Sequence, residues 1–371
     1  MTADDRAAAL SRWLAPRLGA AELTVTGFNR TGSGNSNETV LFTATHNGCD
    51  ERFVVRIQPG SDSLFLDPDV AREAALLLAV EACGSVPVPH VVGVERDPAV
   101  LGSPFFVMSA VEGQVLIDMP TYHRKGWLKE LEPSARATHW DEGLQALAAI
   151  ALLPEEPFAF LDDGSGSTPL RQLVAATRAY FDWAVEGRDV GVLQAAMDHL
   201  ESDCPDLPDA ALSWGDSRPG NLIYAVDGTV AAVLDWEMAA RGPAEVDLAW
   251  WVMMEEFYST RSGVPLLEGV PSEAAVLARW AELVGRPSRD LEWFKVLAGV
   301  RMGLVMLRSR DANVAKGWLP AEATTHTHNP MTQMLAGWLG LPEPELSPHF
   351  LYLMKRFKEE KALRSTEQEQ T

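Results

Sequence analysis

Two carboxylates and one amide lie close together along one stretch of this 371-residue chain. Asn221 follows Asp216 by five residues, and Asp235 comes fourteen residues later. Carboxylate and amide oxygens are hard ligands that suit a magnesium ion carrying a nucleotide phosphate. A further carboxylate that the metal does not need can receive the proton of an attacking hydroxyl. These residue types therefore predict phosphoryl-transfer chemistry.

A β-hairpin is expected to hold these side chains together. The Asp-Gly pair at 227–228 separates two apolar, β-branched runs, and both residues tolerate the positive φ of a tight two-residue turn. In that register Asn221 lies opposite Leu234, which brings it beside Asp235 at the open end of the hairpin. Asp216 lies on the loop that leads into the same end. The three oxygen-bearing side chains are therefore predicted to converge.

The spacing from Asp216 to Asn221 is also that of the catalytic loop of protein kinases, which a metal-binding Asp follows. Here Trp-Gly at 214–215 replaces the His and Arg that precede the protein-kinase Asp. The whole run, through Asp-Trp-Glu at 235–237, resembles the aminoglycoside phosphotransferase-like family of small-molecule kinases, in which the Trp214 position is usually His. The resemblance implies an α+β, two-lobed protein-kinase-like fold. It has a small antiparallel-sheet N-lobe with one internal helix and a larger, mainly helical C-lobe.

A glycine- and serine-rich turn at 31–37 lies between two predicted strands. Its backbone N–H groups can face an anion, although the same residues also form ordinary hairpin loops. The family resemblance implies that Ser33, Gly34 and Ser36 of this turn lie over the nucleotide phosphates.

A cation and an acid are predicted to pair next to the nucleotide. Arg56 interrupts an apolar strand at 53–57, and a bare buried charge is costly. Glu73 lies on the apolar stripe of a helix for which Asp-Pro at 67–68 is predicted as N-cap and first helical residue. The pair can simply pin the helix to the sheet. The resemblance implies that it aligns Arg56 on the nucleotide phosphates.

The strand at 104–108 ends in small residues and glycine, which is typical of the hinge between the lobes of the kinases that this chain resembles. Met108 and Ala110 are assigned to adenine binding there, although a methionine at such a position is more often plain core. The predicted organisation is an N-lobe at 1–112, a C-lobe at 113–358 that contains the catalytic hairpin 214–237, and a charged tail at 359–371.

Further polar residues are candidates to handle the transferred group or the acceptor. Arg218 occupies the position of a protein-kinase lysine that contacts the phosphate, but it can equally bond a backbone carbonyl of the loop. Glu237 can support the metal through water or accept a hydrogen bond from Arg241. Asp247 is expected to cap the next helix or brace the catalytic loop. In the tryptophan-rich helices beyond, the candidates to orient an acceptor are Glu255, Glu256, Arg301 and Arg308.

Composition limits the class of protein and its partners. With 47% hydrophobic and 22% charged residues the chain is expected to be folded and soluble. No apolar run approaches the ~18 residues that span a bilayer, and no leader is visible, so a cytoplasmic protein without membrane contact is expected. Its 3 cysteines predict reduced thiols. The net charge of -21 argues against nucleic acid as a partner and is compatible with a cationic acceptor or with simple solubility.

The predicted activity is transfer of the γ-phosphoryl group of ATP or GTP, with Mg2+, to a hydroxyl of a small molecule. Asp216 and Arg218 are assigned to catalysis, and Asn221 and Asp235 to the metal. The acceptor is aminoglycoside-like or another hydroxylated metabolite, and kinases of this resemblance also act on hydroxyacyl thioesters or choline. A non-catalytic nucleotide-binding module is the alternative, which the intact motif disfavours. A protein kinase is disfavoured because no Ala-Pro-Glu segment is recognisable.

Overall fold

The computed structural model describes residues 2–30, 38–60 and 63–352. The turn that contains Ser33, Gly34 and Ser36 and the charged tail at 359–371 therefore lie outside the described residues. Within the described ranges, every helix is too short or too polar to cross a lipid bilayer.

Five antiparallel strands form one twisted sheet in the N-terminal part, in the order β1-β2-β3-β5-β4. Along β2 the side chains of Val40, Phe42 and Ala44 are buried in alternation, which is the period of a strand with one face on a core. Asn47 and Gly48, both with positive φ, close the turn to the next strand. The strands are β1 (Leu23–Arg30), β2 (Glu38–His46), β3 (Cys49–Ile57), β4 (Val91–Glu95) and β5 (Phe105–Ser109).

Two helices pack on this sheet, α1 (Ala3–Leu14) and α2 (Val70–Cys83). The predicted N-cap of α2 is wrong by two residues. The Asp69 carboxylate accepts hydrogen bonds from the N–H groups of Ala71 at 2.9 Å and Arg72 at 3.0 Å. Asp67 lies two residues before this N-cap. It is too far from the helix, since an N-cap side chain reaches only the second and third helical N–H groups.

The C-terminal part is built from eight helices among the described residues. Pro133 occupies the first turn of one helix, and Gly191, with φ 52°, precedes another that begins at 192. The helices are α3 (Trp127–Glu130), α4 (Pro133–Ala151), α5 (Pro169–Val185), α6 (Val192–Ser202), α7 (Glu245–Tyr258), α8 (Glu273–Val284), α9 (Leu291–Ala315) and α10 (Pro330–Trp338).

Two short antiparallel ladders interrupt this helical part. The first pairs β6 (Leu212–Ser213) with β9 (Ala240–Arg241), and the second pairs β7 (Leu222–Tyr224) with β8 (Val230–Val233). Almost every residue of α7 is buried, and this helix packs against α9. The ladders contact α4 and α5, which hold them against the helical part.

The position of the α2 N-cap can be tested by comparing two aspartates. Asp69→Ala removes an acceptor for two backbone N–H groups and should lower the free energy of unfolding by about 1 kcal/mol. Asp67→Ala, an equally exposed acid two residues earlier, should change it by less than about 0.5 kcal/mol. Urea denaturation of both variants measures the difference. The assignment fails if Asp67→Ala is the more destabilising substitution.

Candidate active site

The hairpin of β7 and β8 brings the two ends of the motif together. Leu222 pairs with Val233, and the N–H of Leu234 donates to the carbonyl oxygen of Asn221 at 2.9 Å. Asn221 is therefore opposite Leu234, as predicted, and Asp235 is the next residue at the open end.

The turn of this hairpin differs from the predicted two-residue loop. Ala225 N–H donates to the carbonyl oxygen of Thr229 at 2.9 Å, so that three residues lie between them. Gly228 adopts φ +90°, which completes a turn followed by a glycine in the left-handed region. A bulge between the pairs of Ile223 and Tyr224 absorbs the extra residue. The register at the open end is unchanged as a result.

Asp247, on the first turn of α7, braces the catalytic loop. Its carboxylate accepts hydrogen bonds from the N–H groups of Trp214 at 2.7 Å and Gly215 at 2.9 Å. It also accepts from the hydroxyl of Ser213 at 2.9 Å, while its carbonyl oxygen accepts from the hydroxyl of Ser217 at 2.7 Å. Burial raises the pKa of Asp247, and these donors oppose the rise. Of the two roles expected for this residue, bracing is the one observed.

The two residues just before Asp216 are fixed by close contacts. Gly215 has φ +95°, and a Cβ there would collide with the carbonyl oxygen of Met238. The buried indole of Trp214 donates to the carbonyl oxygen of Leu234 at 2.7 Å. Trp214 thus ties the loop to the strand end that leads into Asp235.

Three side chains hold the carboxylate of Asp216. Arg218 Nε lies 3.0 and 3.1 Å from its two oxygens, Asn221 Nδ2 donates at 2.7 Å, and Trp250 Nε1 donates at 2.9 Å. Sequence reasoning did not single out Trp250, because no local signal separates it from Trp251.

Arg218 contacts acids instead of a loop carbonyl. Its Nη1 donates to Asp118 at 2.6 Å while its Nε remains on Asp216. The hydroxyl of Tyr258 bonds the same Asp118, and burial raises the pKa of Tyr258. Asp118 had not been predicted. It is 100 residues away in sequence, and no motif connects it with the catalytic loop.

The guanidinium of Arg56 contacts three carboxylates. Its Nε lies 3.2 Å from Glu73, so the predicted ion pair between strand and helix is present. Its Nη2 lies 3.1 Å from Asp235 and 3.3 Å from Glu237. Burial disfavours the charged guanidinium, but the three acids outweigh burial and raise the pKa of Arg56.

Glu237 and Asp235 face this cation from the segment after β8. The expected hydrogen bond from Arg241 to Glu237 is wrong, because Arg241 donates to Asp162 at 2.7 Å and Glu237 pairs with Arg56. Support of a metal by Glu237 through water stays a prediction. Asp235 has φ +61°, an uncommon conformation for a residue with a side chain. Such a conformation persists only where surrounding contacts impose it.

The environment of Glu73 favours its protonated form. Burial raises the pKa of Glu73 to about 7, and the charge of Arg56 opposes that rise. The nearby negative charge of Asp235 raises it further. One guanidinium among three acids leaves net negative charge, which a further cation would relieve.

Asn221 and Asp235 form an oxygen donor set. The amide nitrogen of Asn221 is used by the carbonyl and carboxylate oxygens of Asp216, at 3.0 and 2.7 Å, which leaves its amide oxygen for a cation. In the described ranges, no three His, Cys, Asp or Glu side chains are grouped to hold a metal. Magnesium usually takes one or two protein ligands and completes its shell with water and substrate phosphates, so these residues fit it.

A cleft of about 320 Å³ lies between the sheet and the hairpin. Its wall includes Arg56, Asn221 and Asp235 together with apolar side chains that suit the faces of a base: Leu41, Val54, Leu77, Met108, Ile223 and Val233. Both predicted hinge residues line it. The N–H of Ala110 already donates to the backbone carbonyl oxygen of Arg52. A contact between Ala110 and a base would therefore use the carbonyl oxygen of Ala110.

The five-stranded sheet with its internal helix, the mainly helical C-terminal part and the cleft between them define a protein-kinase-like fold. The chain belongs to the phosphotransferase enzyme family, whose sequence profile matches residues 27–285. This confirms the resemblance to the aminoglycoside phosphotransferases and the predicted fold class.

Solved structures agree with this fold. A Ralstonia eutropha protein that bears the name of an aminoglycoside phosphotransferase has a TM-score of 0.67 at 22% identity, over 90% of this chain and 98% of that chain. A thermostable mutant of aminoglycoside phosphotransferase APH(4)-Ia, in a ternary complex with ADP and hygromycin B, has a TM-score of 0.53 at 18% identity, over 84% of this chain and 96% of that chain. At identities this low, the similarity to these two structures shows a shared fold and no more.

The curated relatives carry a different name. The Arabidopsis thaliana protein "Probable acyl-CoA dehydrogenase IBR3" is 26% identical over 313 residues, which is 79% of this chain and 36% of that protein. The chain spans about a third or less of the length of the first curated relatives it matches.

The bond from Trp250 to Asp216 can be tested with its neighbour as the control. Trp250→Phe keeps an aromatic ring but removes a hydrogen bond to a charged group, which is worth about 1.5–3 kcal/mol, so the phosphotransfer rate should fall roughly tenfold or more. Within the described ranges the buried Nε1 of Trp251 has no partner. Trp251→Phe should therefore leave kcat within about threefold of the wild type. Equal losses of kcat in the two variants would contradict the assigned role.

The raised pKa of Glu73 predicts a pH-dependent stability. Because the folded-state pKa of about 7 lies above the ordinary 4.5, the folded protein binds this proton more tightly than the unfolded chain does. That contribution is complete below about pH 4.5 and is lost as the pH rises through about 7. The unfolding free energy of the wild type minus that of Glu73→Gln should therefore decrease from about pH 5 to 8 in metal-free buffer, because only the wild type loses this proton. An increase would mean that the ion pair with Arg56 outweighs burial.

Proposed function

We propose that this protein is an ATP-dependent phosphotransferase that moves the γ-phosphoryl group to a hydroxyl of a small molecule. The observation that carries the proposal is the convergence of Asp216, Asn221 and Asp235 at one end of a hairpin, at the edge of a cleft with Arg56 on its wall. Binding of ADP by an aminoglycoside phosphotransferase of the same fold supports the nucleotide assignment.

In the proposed reaction the acceptor hydroxyl oxygen attacks the γ-phosphorus, and the bond from this phosphorus to the bridging oxygen of ADP breaks. The hydroxyl proton passes to Asp216 and then to solvent. Asp216 already accepts hydrogen bonds from Arg218, Asn221 and Trp250. A loose phosphoryl-transfer transition state requires little base assistance. Asp216 therefore acts mainly by orienting the hydroxyl.

The remaining residues position the nucleotide. Asn221 and Asp235 hold magnesium, which supplies positive charge to the phosphate oxygens when bound. Arg56, kept in place by Glu73, binds phosphate from the sheet side. The family resemblance assigns Ser33, Gly34 and Ser36, which lie outside the described residues, to the phosphates. The hinge at Met108 and Ala110 contacts the base.

Arg218 has a supporting role in this scheme. Since its Nε is bound to Asp216 and its Nη1 to Asp118, it fixes the carboxylate and offsets its charge. The guanidinium is next to the carboxylate that orients the acceptor hydroxyl, where positive charge favours the transferred group.

A hydroxyacyl thioester is the second candidate acceptor beside an aminoglycoside-like one. The relatives named acyl-CoA dehydrogenases favour the thioester. In those longer proteins the region shared with this chain is about a third of the sequence, and the name of the whole protein refers to acyl-CoA chemistry. The complex of aminoglycoside phosphotransferase APH(4)-Ia with hygromycin B favours an aminoglycoside-like acceptor.

Loss of single acids tests the proposal. Asp216→Ala and Asp235→Ala should each lower magnesium-dependent turnover of ATP by at least about a hundredfold, since each removes a positioning or metal contact. Asp227→Ala, at the exposed far end of the same hairpin, is the matched control and should retain turnover. Steady-state kinetics with a panel of aminoglycosides, hydroxyacyl-CoAs and amino alcohols measures this.

Two results would be decisive against the proposal. Normal turnover in Asp235→Ala would remove the assigned metal role. Nucleotide binding by the wild type without turnover, whichever acceptor is supplied, would identify a non-catalytic module.

A further inference from the structure

The segment at 114–123 follows the hinge and runs past the catalytic loop, and we call it the strap. It begins on the catalytic hairpin. Gln114 exchanges two backbone hydrogen bonds of 2.8 Å with Tyr224 on β7. Gly113, just before the strap, packs so closely that a Cβ there would lie 2.5 Å from the carbonyl oxygen of Tyr224. The start of the strap is therefore held against the strand that follows Asn221.

The far end of the strap is anchored in the core. Tyr122 is 1% exposed, and its hydroxyl donates to Glu255 at 2.9 Å. The ring of His123, also buried, contacts the other oxygen of the same carboxylate through Nε2 at 2.5 Å. Glu255 was a candidate to orient an acceptor, but it lies on α7 and is occupied by these two residues. Both ends of the strap are thus fixed to elements that support the proposed site.

Between these ends the strap places Asp118 on the arginine of the catalytic loop. Asp118 Oδ1 accepts from Arg218 Nη1 at 2.6 Å, while Arg218 Nε is bound to Asp216. The hydroxyl of Tyr258 bonds the same Asp118. Because burial raises the pKa of Tyr258, this hydroxyl keeps its proton and donates. Arg218 therefore spans two carboxylates, one from the strap and one from the loop.

The loop has no side chain at the one position where it would disrupt this ion pair. A Cβ at Gly220 would lie 2.6 Å from Arg218 Nη1 and 2.7 Å from Asp118 Oδ1. The φ of Gly220 is not positive, so the backbone there does not demand glycine. The space that the missing side chain leaves is occupied by the ion pair. This observation on the loop itself is independent of the contacts of the strap.

Two partners fix an arginine better than one does. The long side chain of Arg218 has many rotamers, and one contact to Asp216 leaves the guanidinium free to rotate. Asp118 holds Nη1, which sets the plane of the guanidinium while Nε stays on Asp216. Without Asp118, Arg218 would be free to form two parallel hydrogen bonds with Asp216. Those bonds would occupy the oxygens that the acceptor hydroxyl needs.

We propose, resting on the function proposed above, that Asp118 is a positioning residue for phosphoryl transfer. It acts through Arg218: the strap presents a carboxylate that fixes the guanidinium, and the fixed guanidinium orients Asp216 toward the acceptor hydroxyl. Gly220 is the position in the loop that makes room for this contact.

Asp118→Asn tests the role of the charge. Asp118 is 37% exposed, so the variant should fold. It loses a hydrogen bond between charged groups, and kcat should fall at least about tenfold. AMP-PNP affinity, measured by calorimetry, should stay within about twofold because no nucleotide contact is changed. The acceptor is the member of the panel above that the wild type phosphorylates fastest, or water where hydrolysis of ATP is faster.

Tyr122→Phe is the matched control for the strap. The ring of Tyr122 contacts that of Tyr258, but its hydroxyl bonds Glu255 instead of Asp118. This variant should keep kcat within about threefold of the wild type. Equal losses of kcat in Tyr122→Phe and Asp118→Asn would show general damage to the strap and would reject a specific role for Asp118.

Gly220→Ala tests the same contact without removing either partner. The added methyl group should displace the ends of Arg218 and Asp118, so kcat should fall by about as much as in Asp118→Asn, roughly tenfold. The control is Gly242→Ala, where a Cβ would meet its nearest neighbour at an ordinary 3.5 Å and the φ is likewise not positive. Gly242→Ala should match the wild type. A wild-type kcat in Gly220→Ala overturns the proposal.

A double-mutant cycle decides whether Asp118 acts through Arg218. In an Arg218→Met background, Asp118→Asn should change kcat by less than about twofold, because the group that it positions is gone. A further tenfold loss of kcat there would reject action through Arg218. Normal kcat in Asp118→Asn beside an active wild type rejects the role of Asp118 alone. Absence of magnesium-dependent ATP turnover in the wild type rejects the proposed function and this role with it.

Discussion

A single buried guanidinium connects the parts of this site. Arg56 lies on β3 and binds Glu73 from α2 and two acids, Asp235 and Glu237, from the segment after the hairpin. Sheet, helix and hairpin cannot move apart without leaving a buried charge unpaired, which is costly. Because three acids surround one cation, the cluster keeps net negative charge. Burial, together with the charge of Asp235, raises the pKa of Glu73. The net negative charge suits the site to a divalent cation.

The other half of the site depends on α7. Asp247 accepts the backbone N–H groups of the catalytic loop, and Trp250, one turn later, holds the carboxylate of Asp216. A helix that is almost fully buried therefore sets both the path of the loop and the orientation of its acid. Sites supported by rigid elements keep their geometry more accurately than sites built on loops alone. Trp214 adds a link from this loop to the strand that precedes Asp235.

Two cavities meet at the segment after β8. Glu73 and Trp236 line both the cleft of about 320 Å³ against the sheet and a larger cavity of about 670 Å³ between α2 and α5. Function on a shared fold is decided by such sites.

The sequence by itself determined the motif, the two-lobed fold, the register at the open end of the hairpin and the pairing of Arg56 with Glu73. These follow from residue types at short spacings or from a family pattern. It misplaced the α2 N-cap by two residues and shortened the hairpin turn by one, since neighbouring acids and glycine turns differ little in local energy. Only the tertiary structure decided that Trp250 binds Asp216, that Asp118 binds the loop arginine, and that a pocket adjoins the cleft. Those contacts join segments far apart in sequence, and their packing is not encoded in any local pattern.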